Sequence, residues 1–205
     1  LLFRIISMGT GVVITQNLGA RNRRDADRTA LASLGASTWL GLGSAVLLAV
    51  TTHPLLTAMQ ASPDVRQLAA PYLHLLAVAL FLDAFNASMA AVMRAHLRTR
   101  ETMLNILCMH ALHLALCFPL MRGAGPLAPM GMAGFALALA ISRALGLGVH
   151  LWLWRVVLDL KPTWVDALAI RWDLLRSSIA IGLPGAAEAI AYRVAVLASV
   201  AVVSS

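Results

Sequence analysis

Residues 21–28 read Arg-Asn-Arg-Arg-Asp-Ala-Asp-Arg, four arginines within eight positions of a 205-residue chain of which only 12% is charged and 60% is hydrophobic. The surrounding composition decides what such an island means. Soluble domains average about 45–50% apolar and about 25% charged residues. With a mean hydropathy of +0.81 this chain lies far toward the membrane class. Its net charge of +7 is therefore no argument for nucleic acid. A nucleic-acid module needs a basic face on a soluble fold with base-reading residues nearby, whereas these arginines fall in short islands between long apolar runs.

Working outward from the island, apolar runs cover 1–18, 30–51, 68–93, 102–121, 131–154 and 177–203. A bilayer core of about 30 Å takes about 20 residues at about 1.5 Å each. None of the runs alternates with period two, so barrel strands are excluded. The expected fold class is an all-α polytopic membrane protein, a bundle of six transmembrane helices in this stretch. Lys and Arg in the successive connections number four (Arg21, Arg23, Arg24, Arg28), one (Arg66), three (Arg94, Arg98, Arg100), one (Arg122) and four (Arg155, Lys161, Arg171, Arg176). Short cytoplasmic loops hold such residues, and the alternation predicts that loops 21–29, 94–101 and 155–176 are cytoplasmic. The arginine island is thus a topological signal of a multi-pass protein of the cell (inner) membrane. Ala-Ser-Pro-Asp at 61–64 and the Gly/Pro-rich stretch 122–130 suit outer turns. Trp152, Trp154, Trp164 and Trp172 suit the inner headgroup layer, and 155–176 has room for a short interfacial helix. Opening on Leu-Leu-Phe-Arg and closing within an apolar run, the chain reads as an excerpt of a longer protein.

Ionisable groups inside spans cost at least about 2.5–3.5 kcal/mol to insert, so each is a functional candidate. Counted from the ends of their runs, Asp83, Glu188, His113 and Arg143 all lie about 15–18 Å deep. Their predicted convergence near the midplane is where secondary transporters keep substrates and coupling ions. Asn86 shares a face with Asp83, and Tyr192 follows Glu188 on a stripe continued by Ala195 and Ser199. Asp83 with Arg143 reads equally as a structural ion pair. His110 and His113 are three apart, but no Cys, Asp or Glu stands at ligand spacing beside them, so neither a metal nor a cofactor is expected. Cys108 and Cys117 lie on one helix, which excludes a disulfide between them. Arg193, His74 and Arg4 are placed to snorkel toward a boundary. Gly-Thr-Gly at 9–11, the glycine pairs at 41–43, 131–134 and 146–148, and Gly-Leu-Pro-Gly at 182–185 predict closely packed helices and a kink one turn before Glu188.

Five stretches in order resemble the multidrug and toxic compound extrusion (MATE) transporters: Gly-Thr-Gly-Val-Val-Ile-Thr-Gln-Asn-Leu-Gly-Ala-Arg-Asn-Arg-Arg-Asp-Ala at 9–26, Ala-Ala-Pro-Tyr-Leu at 69–73, the basic turn at 93–103, Gly-Met-Ala-Gly onward at 131–143, and Ile-Gly-Leu-Pro-Gly-Ala-Ala-Glu at 181–188. The resemblance implies family helices two to seven. On it, residues 1–154 belong to an N-terminal lobe that lacks its first helix, 155–176 is the cytoplasmic inter-lobe linker, and 177–205 opens the C-terminal lobe. It further implies an exporter, not an enzyme, monomeric in its full-length form, exchanging small cationic or amphipathic substrates for an inward-moving cation by alternating access. Glu188 matches the acidic residue many members carry after Gly-Leu-Pro, and Tyr192 stands where others place theirs.

Two departures bear on the coupling ion and on local geometry. His113 and Cys117 occupy positions where members often have Asn followed by Asn or Asp. Hard cations take oxygen ligands and histidine titrates near neutrality, so protons rather than sodium are the expected coupling ion. Leu97 replaces a glycine that members commonly have in the basic turn. The rival readings are a lipid-linked oligosaccharide flippase of the same superfamily, a structural subunit, and a membrane-embedded enzyme. The last would want clustered acidic or histidine motifs in its loops, and these show none.

Overall fold

The computed structural model describes residues 2–123 and 128–203. The side chains of Arg4 and Arg193 and the centre of the stretch 122–130, for which we expected snorkelling and an outer turn, lie outside the described residues. Each apolar run becomes a helix: α1 (Leu2–Gly19), α2 (Arg23–Ala58), α3 (Pro63–Ala95), α4 (Thr99–Arg122), α5 (Gly131–Val157) and, after the short α6 (Trp164–Leu168), α7 (Trp172–Val203). Regular structure among the described residues is entirely helical. Five helices, α2, α3, α4, α5 and α7, are long and apolar enough to cross a membrane. α1 has 18 residues and carries Arg4, Gln16 and Asn17.

The helices run past the apolar segments into the basic islands, which corrects the expected loop bounds. Arg23, Arg24 and Arg28 form the first turns of α2, capped by Asn22, whose side chain accepts from the amide of Asp25. Arginine is a good helix former, so the charge pattern marks the side without breaking the helix. The true turns are 20–22 and 96–98. Arg23 Nη2 donates to the carbonyl of Leu158 at 3.2 Å, and a cavity of about 520 Å³ gathers Arg23, His96, Leu97, Arg98 and Val157. Three basic segments therefore share one end of the bundle. Leu97 lies in the left-handed region with φ of 61°. That explains the family's glycine, for which such a φ carries no penalty, and the turn forms with leucine all the same.

α3 is the hub, packed against α1, α2, α4 and α5; α4 leans mainly on α5, and α7 touches α1 and α2 but not α3, α4 or α5 among the described residues. The main core lies near the basic end, where Trp154 is fully buried among Ile14, Leu34, Met89, Val92 and Met93. Its indole donates to the carbonyl of Met89 at 3.3 Å. This overturns the interfacial place expected for Trp154; the buried N–H has found a partner, so the ring needs no headgroup. Trp152, Trp164 and Trp172 are exposed.

Residues 155–176 are not a free linker. Thr163 and Asp166 cap α6 reciprocally, and Asp166 also receives Arg171 at 2.8 Å. Trp39 of α2 donates its indole N–H to the carbonyl of Leu168 at 3.0 Å. Gly35 lies directly under the Ala169 carbonyl. We expect Asp166→Ala to lower stability by about 1–2 kcal/mol, since it removes a cap and leaves a half-buried guanidinium alone. Thermal unfolding of the detergent-solubilised protein measures this, and Thr163→Ala should show a smaller loss. Equal, negligible shifts in both would mean α6 is held by its apolar contacts alone.

Candidate functional site

The polar site is built where α3, α4 and α5 meet, with α1 along one side. Asp83 of α3 and Arg143 of α5 form an ion pair, Nε to Oδ1 at 3.1 Å, with the arginine side chain 14% exposed and the aspartate 46%. One turn along α3, the buried Asn86 donates through Nδ2 to the carbonyls of Leu82 (3.0 Å) and Arg143 (2.9 Å). Its Oδ1 faces Nδ1 of His150 at 3.0 Å. Asn105 of α4, also buried, donates to the carbonyl of Gly146 at 3.1 Å and stands 3.0 Å from the same His150 nitrogen. Gly146 makes this meeting possible. A Cβ there would collide with the side chain of Met109, which packs beside Asn86.

Asp83, Asn86, Arg143 and His150 line a cavity of about 390 Å³ that also takes in Ser7 and Met8 of α1, Arg94 of α3, and Ile106 and His110 of α4. A second cavity, of about 480 Å³, shares Ser7, Met8 and Arg94 and runs along α1 past Gly11, Thr15 and Gln16. The two adjoin at these three residues, so open space continues from Gln16 toward Asp83. Water or a solute there meets two guanidinium groups and one carboxylate.

Of the residues singled out from sequence, the structure brings together Asp83, Asn86 and Arg143. It does not bring the other three to them. His113 is buried between α4 and α5 with its ring edge-on to Phe135 at 4.8 Å, and it does not line the cavity. Glu188 and Tyr192 are exposed on α7, beyond Pro184, on a helix that among the described residues packs on α1 and α2. The four-way convergence expected at the midplane is thus a two-helix ion pair with neighbours that depth counting did not select. Missed were Arg94, Asn105 and His150. Seven residues separate Arg143 from His150, two helical turns on one face, and that spacing was the available signal. Asn105 is an amide near the end of its run and carries no charge to draw notice.

Long apolar helices around a cavity lined in part by charged and amide side chains define a polytopic helical membrane protein. The MatE family model matches residues 2–118, over half of the chain, and the chain belongs to this family, the multidrug and toxic compound extrusion (MATE) transporters. An uncharacterized transporter, YisQ, of Bacillus subtilis (strain 168) is 27% identical over 191 residues, covering 93% of this chain and 42% of the relative. Among solved structures, the outward-facing conformation of a multidrug resistance MATE family transporter of the MOP superfamily aligns with a TM-score of 0.79 at 23% identity, over 96% of this chain and 43% of that one. A MOP superfamily transporter from Pyrococcus furiosus Vc1 (DSM3638), whose binding pocket is described as of reverse polarity, aligns equally well, with a TM-score of 0.79 at 23% identity over the same shares. The chain spans about two fifths of the length of these relatives. They are transporters rather than enzymes.

Proposed function

We propose that the full-length protein is a secondary active multidrug efflux transporter of the cell (inner) membrane that exchanges protons, rather than sodium, for cationic amphipathic compounds by alternating access between two lobes. The observation that carries this reading is the polar cavity between α1, α3, α4 and α5, with a half-exposed carboxylate, Asp83, at its wall. A charge is kept inside a bundle of membrane length only where water or a partner offsets its desolvation. Support for protons over sodium comes from the surroundings of His113 and Cys117. The first packs on an aromatic ring and the second donates its thiol to Sδ of Met121 at 3.3 Å, so neither place gathers the oxygens a hard cation wants. In this reading residues 1–154 act as the N-terminal lobe, 155–176 as the connection, and 177–205 as the start of the other lobe. Glu188 and Tyr192 supply that lobe's polar stripe, and its carboxylate is a second place for substrate or proton.

The test is uptake of ethidium into proteoliposomes holding the full-length protein, driven either by a pH gradient at equal sodium or by a sodium gradient at equal pH. We expect the first to work and the second to fail. Glu188→Gln should reduce the pH-driven rate by about tenfold or more at unchanged expression, the size of a typical coupling between two sites. Sodium-driven uptake at equal pH would overturn the proton assignment, and a fully active Glu188→Gln would remove Glu188 from the mechanism. One observation favours a second reading. Arg94 and Arg143 face a single carboxylate across the cavity, a balance suited to the anionic diphosphate of a lipid-linked oligosaccharide and a flippase. Competition of ethidium uptake by a lipid diphosphate, against none by a second cationic dye, would favour it.

A further inference from the structure

His150 is fully buried, and its environment asks one nitrogen to do two incompatible things. Nδ1 stands 3.0 Å from Oδ1 of Asn86 on α3 and 3.0 Å from Nδ2 of Asn105 on α4. Each amide's orientation is set by its other bonds. Turning Asn86 over would point its oxygen at the carbonyls of Leu82 and Arg143, and turning Asn105 over would point its oxygen at the carbonyl of Gly146. The ring nitrogen therefore faces an acceptor on one helix and an N–H donor on another. It can serve one at a time. Bearing a hydrogen, Nδ1 donates to Asn86; bare, it accepts from Asn105. The other ring nitrogen, Nε2, is buried with no partner among the described residues.

We propose that His150 carries the coupling proton of this lobe, and that its protonation moves the hydrogen bond of α5 from α4 to α3. The proposal rests on the proton-coupled reading above and names the group that the reading leaves open. Loading converts a ring with one N–H to the imidazolium with two. Nδ1 then necessarily bears hydrogen, holds Asn86 and turns the N–H of Asn105 away. Release of that proton from Nδ1 to water leaves the Nε2–H tautomer, whose bare Nδ1 takes the bond from Asn105. Only N–H bonds form and break. The charged and titratable groups on the same cavity are Asp83 and Arg94 of α3, His110 of α4 and Arg143 of α5. Asp83 is engaged by Arg143, so a charge gained at His150 is added to a wall that is already net positive. A cationic solute and a protonated His150 therefore exclude each other, which is the requirement of exchange. Gly146, four residues earlier on the same face, leaves room for Met109 beside Asn86.

The test uses the full-length protein in detergent and in proteoliposomes, with ethidium as the probe. His150→Asn keeps a polar atom near the place of Nδ1 and His150→Gln keeps one near that of Nε2; neither titrates. Wild-type affinity for ethidium should weaken as pH falls from about 8 to about 4, a range wide enough for a buried imidazole beside a guanidinium. In both variants the dependence should be clearly shallower, with pH-gradient-driven uptake reduced by about tenfold or more and thermal stability largely kept. A wild-type pH profile in either variant, with stability lost instead, would show His150 to be a strut and overturn the assignment while leaving proton coupling intact. Sodium-driven, pH-insensitive behaviour of the wild type would overturn both together.

Discussion

Gly182→Ala is expected to leave little folded protein at temperatures where the wild type is stable. A Cβ at Gly182 would fall onto the backbone carbonyl of Ile5, and one at Gly9 onto that of Ser178. The two contacts are four residues apart on both helices, so they mark one antiparallel seam on which α1 and α7 meet backbone to backbone. Small residues are how membrane helices approach this closely. Overpacking by one group commonly costs about 1–3 kcal/mol, and here the obstacle is main chain that cannot rotate away, so each glycine stands at the upper end, about 3 kcal/mol. The paired change of Gly9 and Gly182 to alanine should abolish a monodisperse protein peak. Gly148→Ala, whose Cβ would meet no atom within 4 Å, is the control and should be neutral or slightly stabilising. Identical melting temperatures for Gly182→Ala and Gly148→Ala would disprove this account of the seam.

The second large effect is asymmetric. Asp83→Ala strips the partner from Arg143, whose side chain is 14% exposed, whereas Arg143→Ala frees an aspartate that is 46% exposed and can hydrate. Breaking a fully buried pair costs about 3–5 kcal/mol. The partial exposure here scales that to about 2–3 kcal/mol for Asp83→Ala and about 1 kcal/mol for Arg143→Ala. The neutral pair Asp83→Asn with Arg143→Gln should recover most of the stability, because no charge is then left desolvated. Its transport separates scaffold from mechanism: uptake below about a tenth of wild type in this stable variant places the charges on the substrate route, and full uptake makes the pair a strut. If the two single alanine variants melt together, the burial argument fails.

The spans, their number and the gathering of basic residues at one end were legible along the chain, because length, hydropathy and charge are local and additive. The start of α2 inside the arginine island was not, since a run of arginines ends an apolar segment without ending a helix. Leu97 shows the same limit in reverse. The glycine of the family pattern looked like a missing motif letter, and only the backbone reveals that the position needs a positive φ.

Depth along a helix could be counted from sequence, and it found Asp83 and Arg143. Rotation about the helix axis and choice of neighbour could not, and they separate His113 from the cavity, bring His150 to its wall and set Asn105 against His150. Those two quantities are set by which faces pack, and here close contacts at single glycines decide them: Gly146 admits Met109 and Asn86, while Gly9 and Gly182 seat α7 on α1 and keep Glu188 away from Asp83. The amino-acid order thus determined a helical membrane bundle and its charged end, through the cost of polar atoms in hydrocarbon. Which polar groups touch was decided only by the three-dimensional packing, because a contact between helices depends on steric fit between residues far apart in the chain.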